Sequence, residues 1–165
     1  MGEGRGEGVP EAGRDGRNVV SSAPHVHCLR VYIEDTDAGG MVYYANYLKF
    51  AERARTEMLR AAGISHAEMI GADGLMLVVR RCAVDFLKSA RLDDDLTIET
   101  RVLAIGGASV ELEQRVSRPS GGGAAELLAT LKVLIACITG AGRATRLPES
   151  LRRVMQRGHR STTDK

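Results

Sequence analysis

From His27 the chain alternates, Leu29, Val31 and Ile33 pointing to one side and Arg30, Tyr32 and Glu34 to the other, which is the period of a half-buried strand. The alternation stops at Asp35, and a polar, glycine-containing turn covers 35–42. Beyond it the period becomes helical: Tyr47, Phe50, Ala51, Ala54, Met58, Ala61 and Ala62 fall at i, i+3, i+4 and i+7 spacings, and Gly63 ends the run. The opposite side carries Lys49, Glu52, Arg53, Glu57 and Arg60, with Arg53–Glu57 and Glu57–Arg60 spaced to pair, and reads as a solvated face.

A loose stretch over 65–74 leads into four β-rich segments, 75–86, 96–105, 109–117 and 127–139. Asp93-Asp94-Asp95, Gly106-Gly107 and Pro119 through Gly123 separate them, and this is hairpin chemistry that favours antiparallel neighbours. The three aspartates are therefore expected in a turn rather than on a metal. The predicted order is strand, long helix and four antiparallel strands, an α+β architecture with one helix lying across one sheet. Residues 133–138 are apolar without a break, so both faces of the last strand should be covered. One face takes the helix, and the other calls for a partner subunit. A terminal helical turn or two is expected over 148–155.

Composition sharpens this picture. With 44% hydrophobic and 27% charged residues in 165, the chain is one ordinary globular domain with something left over. No tryptophan and two phenylalanines imply an aliphatic core. There is no apolar run long enough to cross a membrane and no signal-peptide pattern at the start, so a cytoplasmic protein is expected. Cys28, Cys82 and Cys137 sit in apolar stretches and are expected to be reduced, buried and structural. Residues 1–24, with six glycines, two prolines and seven charges, read as a disordered leader before a domain over 25–156. The formal charge of +2 conceals a basic end. Residues 141–165 hold seven Lys or Arg against Glu149 and Asp164, and 157–165 form a basic tail. Such a tail can attach weakly to an anionic membrane surface, although terminal charge is most often just solvated. No aromatic residue interleaves with the arginines, so nucleic acid is not an expected partner.

The chemistry concentrates in 31–47, where Glu34, Asp35 and Asp37 end a strand, Gly39 and Gly40 follow, and a helix begins. An EF-hand reading fits Asp35, Asp37 and Gly40 but fails at Gly39, at Asn46 where a bidentate glutamate is needed, and in the preceding strand. His25 and His27 have no ligand set to complete and read as surface histidines. A second reading is catalytic. Glycines admit a close ligand, and a helix start directs free N–H groups at whatever precedes it. A carboxylate beside an oxyanion site suits attack on an activated acyl carbon. The alternative is that the aspartate merely caps the helix, and the residues alone leave both open.

The arrangement Asp-x-Asp-x-x-Gly-x-Val-Tyr-Tyr-x-Asn-Tyr resembles the signature of hotdog-fold acyl-CoA thioesterases of the 4-hydroxybenzoyl-CoA thioesterase class. Together with 52–59 and Ala90-Arg91-Leu92-Asp93-Asp94, the stretch 31–40 is similar to the Tol-Pal-associated branch, and the likeness runs from about Leu29 to Leu151. The resemblance implies a hotdog fold, a long helix wrapped by an antiparallel sheet of about five strands, assembled as a homodimer or homotetramer on an acyl-CoA substrate without metal or organic cofactor. It puts the catalytic aspartate on Asp37 and the carbonyl-polarising backbone amide on Tyr44, with Gly39, Gly40, Val42, Tyr43, Asn46 and Tyr47 around the substrate. Many members of that branch carry a histidine where this chain has Tyr44, so the backbone role alone carries over. The basic cluster that some members use near the coenzyme A phosphates has no equivalent at Gly106-Gly107-Ala108, leaving Arg80, Arg81, Lys88 and Arg91 as candidates by charge. A hotdog hydratase or dehydratase would want a histidine paired with a carboxylate, and His66 is the one internal histidine, outside the motif. A non-catalytic cell-envelope binding protein is the third reading.

Overall fold

The computed structural model describes residues 18–19 and 23–157. Its elements are β1 (Asn18–Val19), β2 (His25–Arg30), α1 (Asn46–Ala61), α2 (His66–Asp73), β3 (Leu75–Phe86), β4 (Asp95–Ile105), β5 (Ser109–Arg118), β6 (Glu126–Thr139) and α3 (Glu149–Arg157). Strand alternation places Ile98, Val102, Val110, Leu112, Val116 and Leu131 on one face of a single antiparallel sheet, where all are buried. The order across the sheet is β1-β4-β5-β6-β3, with β2 also paired to β4. Gly106 N–H to the Ser109 carbonyl, at 2.8 Å, closes the β4–β5 hairpin.

The long helix α1 lies across this face against β2 and β4 and buries Tyr47, Phe50, Ala51, Ala54, Met58 and Leu59. Its small alanines let the helix axis approach the sheet, and each large side chain so buried stabilises the fold by about 1.5–3 kcal/mol. Behind α1 a polar cluster is closed inside the core. The fully buried Gln114 donates from Nε2 to the Ala51 carbonyl and Thr100 Oγ1, both at 2.9 Å. Its Oε1 accepts from Arg55 Nη1 at 2.8 Å, and Arg55 also pairs with Glu52. The C-terminal helix α3 seals one end with Leu151 and Met155, and Arg152 Nη2 donates to the Gly106 carbonyl at 2.9 Å.

The expected long helix, the four later strands and the terminal helical turns are all present. Several other expectations are corrected. The first strand ends at Arg30, because the Tyr32 N–H turns to Asp35 Oδ2 at 2.9 Å and starts a 3-10 turn over Ile33–Asp35, leaving Ile33 77% exposed. The stretch 65–74 is mostly helix α2, and over 66–72 Met69 alone is buried. Asp93-Asp94-Asp95 is a turn, with Asp93 at φ 66°, but not a hairpin: β3 pairs with β6, and 87–94 is a crossover to β4. His25 is buried rather than on the surface. Cys137 is buried, but Cys28 and Cys82 are exposed, and all three are free thiols. On β6 the inward Leu131, Val133, Ile135 and Cys137 are buried, whereas the outward Leu134, Ala136 and Ile138 remain partly exposed in the single chain. Of the leader over 1–24, Asn18 and Val19 pair with Ile105 and Ala104, and 1–17 with 20–22 lie outside the described residues. The basic tail beyond Arg157 lies outside them as well.

Candidate active site

The site grows from a tight turn that the sequence builds with Asp37 and Gly40. Asp37 N–H donates to the Met41 carbonyl at 2.8 Å, Gly40 N–H donates to the Asp37 carbonyl at 3.0 Å, and Thr36 and Val42 bridge the two limbs. Gly40 takes φ +74°, a conformation that costs any residue with a Cβ. The two aspartates end in opposite environments. Asp35 is buried and spends its carboxylate on the Tyr32 N–H, while its carbonyl accepts the Tyr43 N–H at 3.0 Å and Asn46 Nδ2 at 2.7 Å. Asp37 is exposed, with Oδ1 accepting the Gly39 N–H at 2.8 Å and the Met41 N–H at 3.3 Å. Its Oδ2 meets no donor among the described residues.

Helix α1 starts immediately beyond this turn. Its first position is flanked by Ala45, and no side chain caps it. Asn46, Tyr47 and Leu48 N–H groups close short turns to the carbonyls of Tyr43, Tyr44 and Ala45. The N–H groups of Tyr44 and Ala45 donate to no protein acceptor among the described residues. An uncapped helix start carries a positive partial charge and unmade hydrogen bonds, which together attract an oxygen gaining negative charge. The capping role weighed for the aspartate is therefore not the one the structure shows.

Of the other predicted site residues, Gly39 and Gly40 form the turn, and Tyr43 and Tyr44 are exposed beside it, Tyr44 by 61%. Their rings lie 4.8 Å apart, and the Tyr43 hydroxyl is held above its ordinary pKa by its hydrogen bond to Tyr44. Val42, Asn46 and Tyr47 are buried behind the turn and hold it up. Tyr47 shows how: its hydroxyl accepts the N–H of fully buried Ala90 at 2.9 Å, and burial, more than any neighbour, raises its pKa.

Pattern reading did not single out Phe86 at the end of β3, whose ring stands edge-on to Tyr44 at 6.1 Å and to Tyr47 at 5.5 Å. One turn along α1 from Tyr44, Leu48 opens a groove of about 520 Å³ between α1 and β3, with Val79, Cys82 and Val133 on its walls and the charged Lys49, Glu52, Arg53 and Arg55 along its helix side. Among the basic candidates, Lys88 is paired with Glu126 at 2.5 Å, and Arg80 and Arg81 lie exposed along β3. Arg91 is exposed beside the turn, its backbone bridged to Met41. His66 begins α2 and lines a cavity with Glu52, away from the turn. Among the described residues no group of three His, Cys, Asp or Glu is gathered to hold a metal ion.

Known proteins share the sequence and fold that carry this loop. A family profile described as the thioesterase-like superfamily matches residues 31–155. The chain is 43% identical over 110 residues to the acyl-CoA thioesterase YbgC of Haemophilus influenzae, covering 67% of this chain and 77% of that protein. A probable thioesterase from Bartonella henselae has a solved structure at 40% identity and a TM-score of 0.70, covering 76% of this chain and 100% of that one. The solved structure of a 4-hydroxybenzoyl-CoA thioesterase mutant bound to its substrate superposes with a TM-score of 0.76 at 22% identity, over 81% of this chain and 99% of that one, a likeness of fold. A family match over most of the chain, relatives at this identity and a long helix laid across one antiparallel sheet show that the chain belongs to the thioesterase-like superfamily of hotdog proteins and is a thioester hydrolase.

Proposed function

We propose that this hydrolase cleaves acyl-CoA at the 35–45 loop, with Asp37 as general base or nucleophile and the Tyr44 N–H as the oxyanion donor. The observation that carries the reading is the contrast between the aspartates. Asp35 is consumed by the fold, whereas Asp37 is held by two backbone N–H groups through one oxygen, its other oxygen meets no donor among the described residues, and its turn leads into the uncapped start of α1. As a base, Asp37 takes a proton from a water that adds to the acyl carbon. The carbonyl oxygen gains charge against the helix N–H groups, the C–S bond breaks, and the departing sulfur receives the proton as free CoA thiol. Proton transfer of this kind contributes about 10²- to 10⁴-fold, and a single oxyanion donor about 10²- to 10³-fold.

The groove beginning at Leu48 presents mostly apolar surface and offers room for the acyl group. The working unit is at least a dimer, which the partly exposed outward side chains of β6 favour. The cytoplasm, where acyl-CoA is found, is the compartment that fits. The direct test is release of free thiol from a panel of acyl-CoAs with aliphatic and aromatic acyl groups. Release with any member supports the reading. A purified, folded oligomer that releases none from the whole panel contradicts it and leaves the hydratase or binding readings.

A further inference from the structure

We propose that Asp94 and Arg118 are positioning residues whose ion pair holds the Asp37 turn in its working geometry through the 87–94 crossover; the inference rests on reading that turn as the thioesterase site. The crossover has no helix or strand of its own and must be held by its neighbours. It is clasped to both limbs of the site. Val31 N–H donates to the Asp94 carbonyl at 2.9 Å and Asp93 N–H to the Val31 carbonyl at 3.1 Å, where the chain enters the loop. Val42 N–H donates to the Ala90 carbonyl at 2.9 Å and Leu92 N–H to the Gly40 carbonyl at 3.3 Å, where it leaves.

One path through these contacts reaches the carboxylate itself. Arg118 Nη1 donates to Asp94 Oδ2 at 2.7 Å, and the same oxygen accepts the Arg91 N–H at 2.8 Å. Arg91 is bridged to Met41, and the Met41 N–H is one of the two donors on Asp37 Oδ1. The pair thus lies three contacts from the carboxylate to which the chemistry is assigned, ending on its backbone-held oxygen. Arg118 extends the hold to the other end of the crossover, since it also pairs with Glu126, which takes Lys88 at 2.5 Å. Both ends of 87–94 are pinned to the rim of the β5–β6 hairpin.

An isolated surface ion pair contributes little to stability. This one is largely buried, its side chains 26% and 20% exposed, and belongs to a network, so it is less screened than a free surface pair. A carboxylate displaced by about 1 Å loses up to about 10²-fold in rate, so the pair should count more for turnover than for folding.

The test uses the full chain and the variants Asp94→Ala, Asp94→Asn, Arg118→Lys and Asp37→Asn, with kcat and KM for thiol release and amide hydrogen exchange on each. Asp94→Ala is expected to lower kcat at least about tenfold with KM moved less than about threefold. Asp94→Asn, which keeps an oxygen for the Arg91 N–H, should recover most of that loss. Arg118→Lys, whose point charge cannot serve Asp94 and Glu126 as a fork, should fall between them. Exchange of the Val42 and Leu92 amides should speed up while that of β5 and β6 stays unchanged. If Asp94→Ala does not fold, Arg118→Lys and the exchange pattern carry the test. Unchanged kcat in the folded variants, or faster exchange spread evenly over the sheet, overturns the proposal. An inactive Asp37→Asn beside an unimpaired Asp94→Ala removes this inference alone, whereas a fully active Asp37→Asn removes the site reading and this inference with it.

Discussion

Gln114→Met should be among the most costly single substitutions in the core, although it exchanges a polar side chain for an apolar one of similar length. Gln114 is fully buried and makes three hydrogen bonds, one accepted from the Arg55 guanidinium and two donated to Ala51 O and Thr100 Oγ1. Methionine fills the volume but answers none of them. Loss of a bond to a charged group costs about 1.5–3 kcal/mol and each neutral one about 1 kcal/mol, so together the substitution should destabilise by about 3–5 kcal/mol. With an m-value of about 1–3 kcal/mol/M in urea, the midpoint should fall by 1 M or more at unchanged m, measured at one protomer concentration because assembly adds to apparent stability. Adding Arg55→Met removes the buried guanidinium that has lost its Gln114 acceptor, so the double variant should be more stable than the sum of the singles predicts. A Gln114→Met loss below about 1 kcal/mol, or strict additivity with Arg55→Met, refutes the claim that this cluster is a coupled network.

Truncation after Pro148 removes the buried Leu151 and Met155, each contributing about 1.5–3 kcal/mol, so it should lower Tm by at least several degrees and take activity down with it. An unchanged Tm would show that α3 is dispensable. Lys88 first and Arg118 second hold the Glu126 carboxyl at about 2, well below its ordinary 4.5. A depressed folded-state pKa gives stability that is present above about pH 4.5 and lost as the pH falls toward 2, so the wild-type unfolding midpoint should drop across that window and Glu126→Gln should flatten part of the drop. Equal pH slopes in the two proteins would contradict the pairing.

What the sequence made legible was local. The boundaries of β3 follow from its apolar run and flanking turns, and α1 from Tyr47, Phe50, Ala51, Ala54 and Met58 at helical spacing. Asp37, Gly39 and Gly40 announced the turn between the first strand and the long helix. What escaped was long-range or weakly patterned. Helix α2 buries Met69 alone over 66–72 and so shows no periodic face there. The crossover 87–94 looked like a hairpin because turn residues do not say which strand comes next, and only the register of β3 on β6 shows that β4 lies elsewhere. Asp94 and Arg118 are 24 residues apart, Arg55 and Gln114 are 59 apart, and no spacing rule joins them. Cys82 sits among apolar neighbours, yet it lies on an edge strand whose register shifts between Val79 and Arg81, and the chain alone leaves it exposed.

The central claim is that of two aspartates two residues apart, one belongs to the fold and the other to the reaction. Asp37→Asn and Asp35→Asn are both nearly isosteric, and the measurement is kcat for thiol release from the best acyl-CoA, alongside Tm. Asp37→Asn should retain its Tm and lose at least about 10²-fold in kcat. Asp35→Asn keeps an oxygen for the Tyr32 N–H and should keep kcat within a fewfold, its cost appearing in Tm instead. Full activity in Asp37→Asn together with an inactive, stably folded Asp35→Asn would contradict the assignment.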